Sequence, residues 1–236
     1  MKSILIILLS LSALGCITIK QQESSRFNSD PIARAESRIT LGLGYLENGN
    51  MSKARENLEK ALQHAPEYYR AMLAIAHYYY VVGETKKAQQ AYKKALSEHD
   101  NNGQVFNNYG TFLCKTGQYR QADKYFNQAV EQPHYYMIAE SYENAGLCAI
   151  KDGSLSKAKK YFGRALAHDP QRFLSIFQLS KLEIDSGDFS QARARLIQFH
   201  HNHGYQKASL QLLANLERRA GNTSLEHQYL SLLKQL

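Results

Sequence analysis

The 236-residue chain has no tryptophan, four prolines and three cysteines. So little proline leaves helices uninterrupted, because an interior proline removes a backbone donor and clashes with the preceding turn. Three cysteines cannot build a disulfide scaffold, so apolar side chains must supply the core. The motifs of common catalysts are missing as well. There is no H-E-x-x-H, no phosphate-cradling glycine loop and no G-x-S-x-G, so neither a catalytic residue nor a cofactor is expected. Acidic residues are outnumbered, 21 against 29 lysines and arginines, for a net charge of +8. That excess suits an acidic partner, an anionic membrane surface or nucleic acid.

What is present favours helix: alanine, leucine, lysine, glutamine and glutamate abound, beside 16 tyrosines. The opening "MKSILIILLSLSALGC" is set apart from the rest. One basic residue, Lys2, precedes an apolar run from Ile4 to Leu14. That run is shorter than the roughly 20 residues a spanning helix needs, and its length suits a secretory signal. It ends in Ala13-Leu14-Gly15-Cys16, which resembles a bacterial lipobox. The resemblance implies a signal at 1–15, cleavage before Cys16 and lipidation of Cys16; the alternative is an ordinary cleaved signal with an incidental cysteine. In a Gram-negative cell, Ile17 in place of aspartate implies the outer membrane, facing the periplasm. Residues 16–34 are mostly polar and aperiodic and read as a tether spanning roughly 25 Å as a flexible coil. Asp30-Pro31 has the form of a helix start, with aspartate as cap and proline in the first turn.

Internal repetition organises residues 35–236. Gly49, Gly83, Gly117, Gly153, Gly187 and Gly221 are spaced by 34, 34, 36, 34 and 34 residues. Five places after each of the first five comes alanine (Ala54, Ala88, Ala122, Ala158, Ala192), and four beyond that a bulky residue (Leu58, Tyr92, Phe126, Phe162, Leu196). Seven before each glycine is a small residue: Gly42, Ala76, Gly110, Gly146, Ser180 or Ala214. This pattern resembles the tetratricopeptide repeat (TPR), two antiparallel helices per unit. Small positions let the helices approach, large ones fill the space beside them, and glycine ends the first helix in a left-handed cap. The expected fold is an all-α right-handed superhelix of six TPR units: 35–68, 69–102, 103–138, 139–172, 173–206 and a degenerate cap at 207–236. A two-residue insertion near "QPHYYM" lengthens the turn after the third unit.

A superhelix of this kind acts by binding. The basic runs "KKAQQAYKK" and "KAKKYFGR" fall on second helices, the outer face, and read as a solvated surface whose excess charge favours anionic lipid headgroups over nucleic acid. "HHNH", His200 to His203, reads as the end of a second helix, where histidine complements the dipole; no carboxylate or cysteine stands nearby to make it a metal site. The inner groove is expected to be lined by first helices, with Leu43, Leu46, Leu73, His77, Tyr80, Asn107, Thr111, Cys114, Leu147, Ile150, Phe177 and Ile184 facing it. Such a channel suits a segment of another protein. Cys114 and Cys148 sit on the first helices of neighbouring units, which pack side by side, and are expected to form a disulfide. The alternative is a reduced, buried pair.

"NNYGTFLC" at Asn107–Cys114, with its echo "YENAGLC" at Tyr142–Cys148, resembles the PilF/PilW family, outer-membrane TPR lipoproteins of type IV pilus biogenesis. What the resemblance implies is a pilotin, which binds the pilus secretin and promotes its localisation and assembly. Another periplasmic TPR lipoprotein, scaffolding peptidoglycan hydrolases or outer-membrane protein assembly, would share the fold, tether and groove. Within the groove, Asn107 is expected to be the central contact, its amide offered to an incoming peptide backbone, with Asn108 beside it serving the fold.

Overall fold

The computed structural model describes residues 30–236; Cys16, the signal and the tether up to residue 29 lie outside them. Among the described residues there are twelve α-helices and no strand. The first helices of the six hairpins are α1 (Pro31–Glu47), α3 (Tyr69–Val81), α5 (Gly103–Lys115), α7 (Ile138–Lys151), α9 (Phe173–Ser186) and α11 (Lys207–Arg219). Their partners are α2 (Met51–His64), α4 (Thr85–Glu98), α6 (Tyr119–Val130), α8 (Leu155–His168), α10 (Phe189–His203) and α12 (Thr223–Lys234). Helix α1 starts earlier than the repeat count suggests: Asp30 caps it, its carboxylate accepting from the Ile32 N–H at 3.0 Å, and Pro31 takes the first turn. Residues 31–34, assigned by sequence to the tether, are therefore the opening turn of α1.

Each hairpin closes the same way. All six periodic glycines are left-handed, with φ between 74° and 85°. The residue after each glycine donates its N–H to a carbonyl five places earlier, as Asn50 does to Tyr45 and Asn222 to Glu217, both at 2.8 Å. This bond satisfies a carbonyl that the helix end would otherwise leave without a partner. The returning helix then places its large residue over the small one. A Cβ on Gly146 would lie 2.8 Å from the Phe162 ring, and one on Gly110 would lie 3.0 Å from Phe126. Phe126, Phe162, Leu58 and Leu196 are all fully buried, each contributing about 1.5–3 kcal/mol.

First helices also touch their successors: α1 meets α3, α3 meets α5, α5 meets α7 and α9 meets α11, while no second helix packs comparably on the next. The layer of first helices is thus the tighter one, and the stack curves around it. Polar bonds one repeat apart reinforce the stacking. Tyr69 donates to Gln104 at 2.6 Å, and Tyr161 donates to Asp123 at 2.7 Å. The link between the third and fourth hairpins runs from residue 131 to 137, against 65 to 68 and 99 to 102 before it. Here the inserted residues are accommodated, with His134 taking φ 59°.

The C-terminal end is held by ion pairs as well as by rings. Glu217 on α11 is fully buried and receives both Nε (2.6 Å) and Nη2 (2.9 Å) of Arg193 from α10, plus the Asn222 amide at 2.6 Å. Glu183 accepts from Arg195 at 2.8 Å in the same way. By contrast α12, the last of the described helices, has no buried residue. Hydrogen bonds from Arg193, then from Asn222, hold the Glu217 carboxyl below its ordinary value of 4.5. A depressed folded pKa means that its stabilisation is complete above pH about 4.5 and is lost as pH falls through the folded value. Amide hydrogen exchange should show α10–α12 opening first as pH is lowered through that window. Glu217→Gln should flatten this pH dependence. Glu217→Ala, which leaves Arg193 without its partner, should cost about 3 kcal/mol in urea unfolding at pH 7.

Candidate partner-binding groove

Residues three and four apart on a helix share a face, and three first helices turn such faces toward one hollow. Ile39 and Leu43 come from α1, Arg70, Leu73, Ala74 and His77 from α3, and Gln104 and Asn108 from α5; together they enclose about 170 Å³. The floor is apolar and the rim polar. Arg70 is already spoken for by Glu36, at 2.9 Å. His77 is half-buried, and its pKa is lowered first by burial and then by the nearby charge of Lys115. It therefore favours the neutral ring, able to donate at one nitrogen and accept at the other. A second hollow of about 290 Å³ lies further along the inner layer, between Phe177, Gln178 and Lys181 of α9 and Ala208, Gln211, Leu212 and Asn215 of α11.

Of the residues expected from sequence, Leu43, Leu73 and His77 line the first hollow and Phe177 the second. Tyr80, one turn beyond His77, packs edge-on against Phe112 with ring centroids 5.8 Å apart, and the Lys115 ammonium lies 5.5 Å from its ring. The Thr111 hydroxyl donates to the Asn107 carbonyl at 2.9 Å, back into its own helix. Leu147 and Ile150 are half-buried against the central core. Leu46 and Ile184, expected in the groove, are core residues instead, Ile184 being fully buried.

Asn107 is the main correction. It is only 3% exposed, so its amide is not offered to a partner. The carbonyl oxygen accepts from the Asn144 amide at 3.2 Å, and its own NH2 group reaches Glu140 at 3.4 Å. Asn107 is thus a bond between α5 and α7, which answers why an amide sits mid-helix there. Asn108, expected only to support the backbone, does donate to the Gln104 carbonyl at 2.9 Å, yet it also lines the hollow. One helical position is about 100°, enough to turn a side chain from the groove into the seam between repeats. Arg70, Gln104 and Ile39 were missed. Their signal was the same one-repeat spacing, since Arg70 and Gln104 lie 34 residues apart in step with the glycines.

Beside that seam Cys114 and Cys148 are joined as a disulfide, with Cα atoms 5.7 Å apart. It ties α5 to α7 across the lengthened turn. Elsewhere, His200 bonds Ser209 at 2.7 Å and His203 packs on the Phe173 and Phe199 rings. Among the described residues no group of metal-binding side chains is assembled.

A stack of antiparallel hairpins with a lined inner groove defines a tetratricopeptide-repeat protein. Family models of that repeat match residues 45–91, 91–124 and 113–173. An uncharacterised protein of Haemophilus influenzae is 41% identical over 128 residues, 54% of this chain and 70% of that one. The type IV pilus assembly protein PilF of Pseudomonas aeruginosa is 32% identical over 165 residues, 70% of this chain and 66% of PilF. Two solved structures superpose over most of both chains. They are PilF of Pseudomonas aeruginosa (TM-score 0.71, 28% identity, 87% of this chain and 92% of that one) and PilW, a type IV pilus biogenesis factor (0.70, 25%, 85% and 92%). Within the tetratricopeptide-repeat class, this chain belongs to the PilF/PilW type.

A disulfide closing a loop of this length stabilises by roughly 3–4 kcal/mol in the chain-entropy model. Thiol titration of the mature protein, denatured without reductant, should find neither Cys114 nor Cys148 reactive. Adding reductant should lower the urea midpoint accordingly. Two reactive thiols from these positions in protein purified from the cell envelope would contradict the pairing.

Proposed function

We propose that this protein is a lipid-anchored outer-membrane adaptor of type IV pilus biogenesis, which holds a segment of the pilus secretin in its inner groove and promotes assembly of the secretin ring. The observation that carries this reading is the superposition on PilF and PilW, each covered over 92% of its length. The groove supports it: an apolar floor with amide and imidazole groups at the rim fits an extended or helical protein segment, giving affinity by burial and orientation by a few hydrogen bonds. The action is one of binding and escort, with no bond made or broken. Cys16 supplies the anchor, and the polar stretch after it supplies reach from the membrane to α1.

Co-purification from detergent-solubilised outer membranes tests the partner. Leu43→Lys combined with Asn108→Arg places two cations in the first hollow, both at half-buried positions. This variant should fail to retain the secretin and should leave secretin multimers depleted, while its melting temperature stays near that of the wild type. Retention of the secretin by a folded double variant, or recovery of a peptidoglycan hydrolase in its place, would contradict the assignment. The anchor has its own test. Each buried methylene of an acyl chain contributes about 0.8 kcal/mol, so Cys16→Ala should move the protein out of outer-membrane fractions in a sucrose gradient.

A further inference from the structure

A further concavity borders the first hollow at Gln104, on the edge where the turns between repeats gather. It is lined by Tyr69 from the start of α3, by Asn101, Asn102 and Gln104 around the start of α5, and by Tyr135 and Tyr136 of the lengthened turn, and encloses about 210 Å³. In a chain of net charge +8, no aspartate, glutamate, lysine or arginine lines it.

Its most exposed wall is Tyr136, at 83% the highest value among the large apolar side chains of the described residues. That exposure is imposed by both neighbours. Tyr135 is buried, its hydroxyl bonded to Ser141 at 2.7 Å and its ring so close to Gly103 that a Cβ there would lie 2.5 Å away. On the other side, the Met137 sulfur accepts from the Gln104 amide at 2.8 Å. Residues 135 and 137 are thus both held against the protein, and Tyr136 between them faces solvent. Tyr69 faces the same space and donates its hydroxyl to Gln104. The Asn102 oxygen caps α5, accepting from the N–H groups of Gln104 and Val105, which leaves its NH2 directed to solvent.

The geometry points to a binding site for a neutral saccharide at this edge, with Tyr136 as the stacking platform and Asn101 and Asn102 as hydrogen-bonding partners of hydroxyl or acetamido groups. The C–H face of a pyranose carries slight positive charge and complements the negative face of an aromatic ring. Amides donate and accept, as sugar hydroxyls do. Other ligand classes fit poorly. A phosphorylated ligand would find no lysine or arginine and a metal only the single imidazole of His134, while an apolar peptide side chain would find no closed apolar floor. The site shares Gln104 with the first hollow, but its platform and its asparagines lie outside that hollow.

The test uses the full protein with two probes, the N-acetylglucosamine trimer and purified peptidoglycan sacculi. The trimer should shift tyrosine ring signals of the wild type in NMR titration and should release the protein from sacculi in co-sedimentation. Tyr136→Ala should weaken both by roughly tenfold, the loss of one aromatic contact, whereas Tyr136→Trp should retain them. Because the side chain is exposed, an unchanged melting temperature checks that the alanine variant is folded. Binding of the trimer without retention on sacculi supports the site and assigns it to a soluble or lipid-borne sugar. No binding of the trimer at millimolar concentration, or retention on sacculi that Tyr136→Ala leaves unchanged, overturns it.

Discussion

When a helix ends in a left-handed residue, its last carbonyls are satisfied locally and the chain can turn back within three residues. Glycine, which has no Cβ, takes that conformation without steric cost. This chain does so six times, at Gly49, Gly83, Gly117, Gly153, Gly187 and Gly221. The common cap fixes where each second helix begins, and hence which of its residues falls over the small position of the first helix. Leu58 over Gly42 and Phe162 over Gly146 follow from that register. Stacking follows in turn, because hairpins of one shape can bury their remaining faces only against one another.

The two layers then divide the work. First helices approach each other across the inner face and hold the hollows lined by Leu73 and His77 and by Phe177 and Leu212. Second helices pack less closely on one another and carry most of the lysines, with α8 alone holding three lysines and Arg164 and no acidic residue of its own. Regularity fails at one point, the link from residue 131 to 137. There the stack is secured by bonds a regular repeat does not need: the Cys114–Cys148 disulfide and the Asn107 amide shared with Glu140 and Asn144. The segment whose chemistry stands out most in the sequence therefore serves the joint between repeats, and the groove beside it is built from plainer residues.

How much of this was legible depended on the period. Helix type, hairpin number and the pairing of small with large positions repeat six times, so each was over-determined. Leu73 and His77 could be placed because apolar spacing on α3 repeats that of α1. Asn107 could not. Burial of a polar side chain is decided by its neighbour across the seam, and nothing local shows that Asn144 and Glu140 arrive there. Ile184 misled for a related reason: like Leu46 at the same place in the first repeat, it is enclosed by the core of its own hairpin. The start of α1 at Pro31 was signalled by Asp30-Pro31, and only the repeat count argued for a later boundary.

The central claim is that the inner layer receives the partner and the outer layer does not. Site-specific photo-crosslinking in piliated cells tests it most directly, with the photoreactive residue placed either at Asn108 on α5 or at the exposed Lys124 on α6. The account predicts a secretin adduct from position 108 and none from position 124. An adduct from 124 with none from 108 would show that the partner docks on the convex face, and the groove would lose its assigned role.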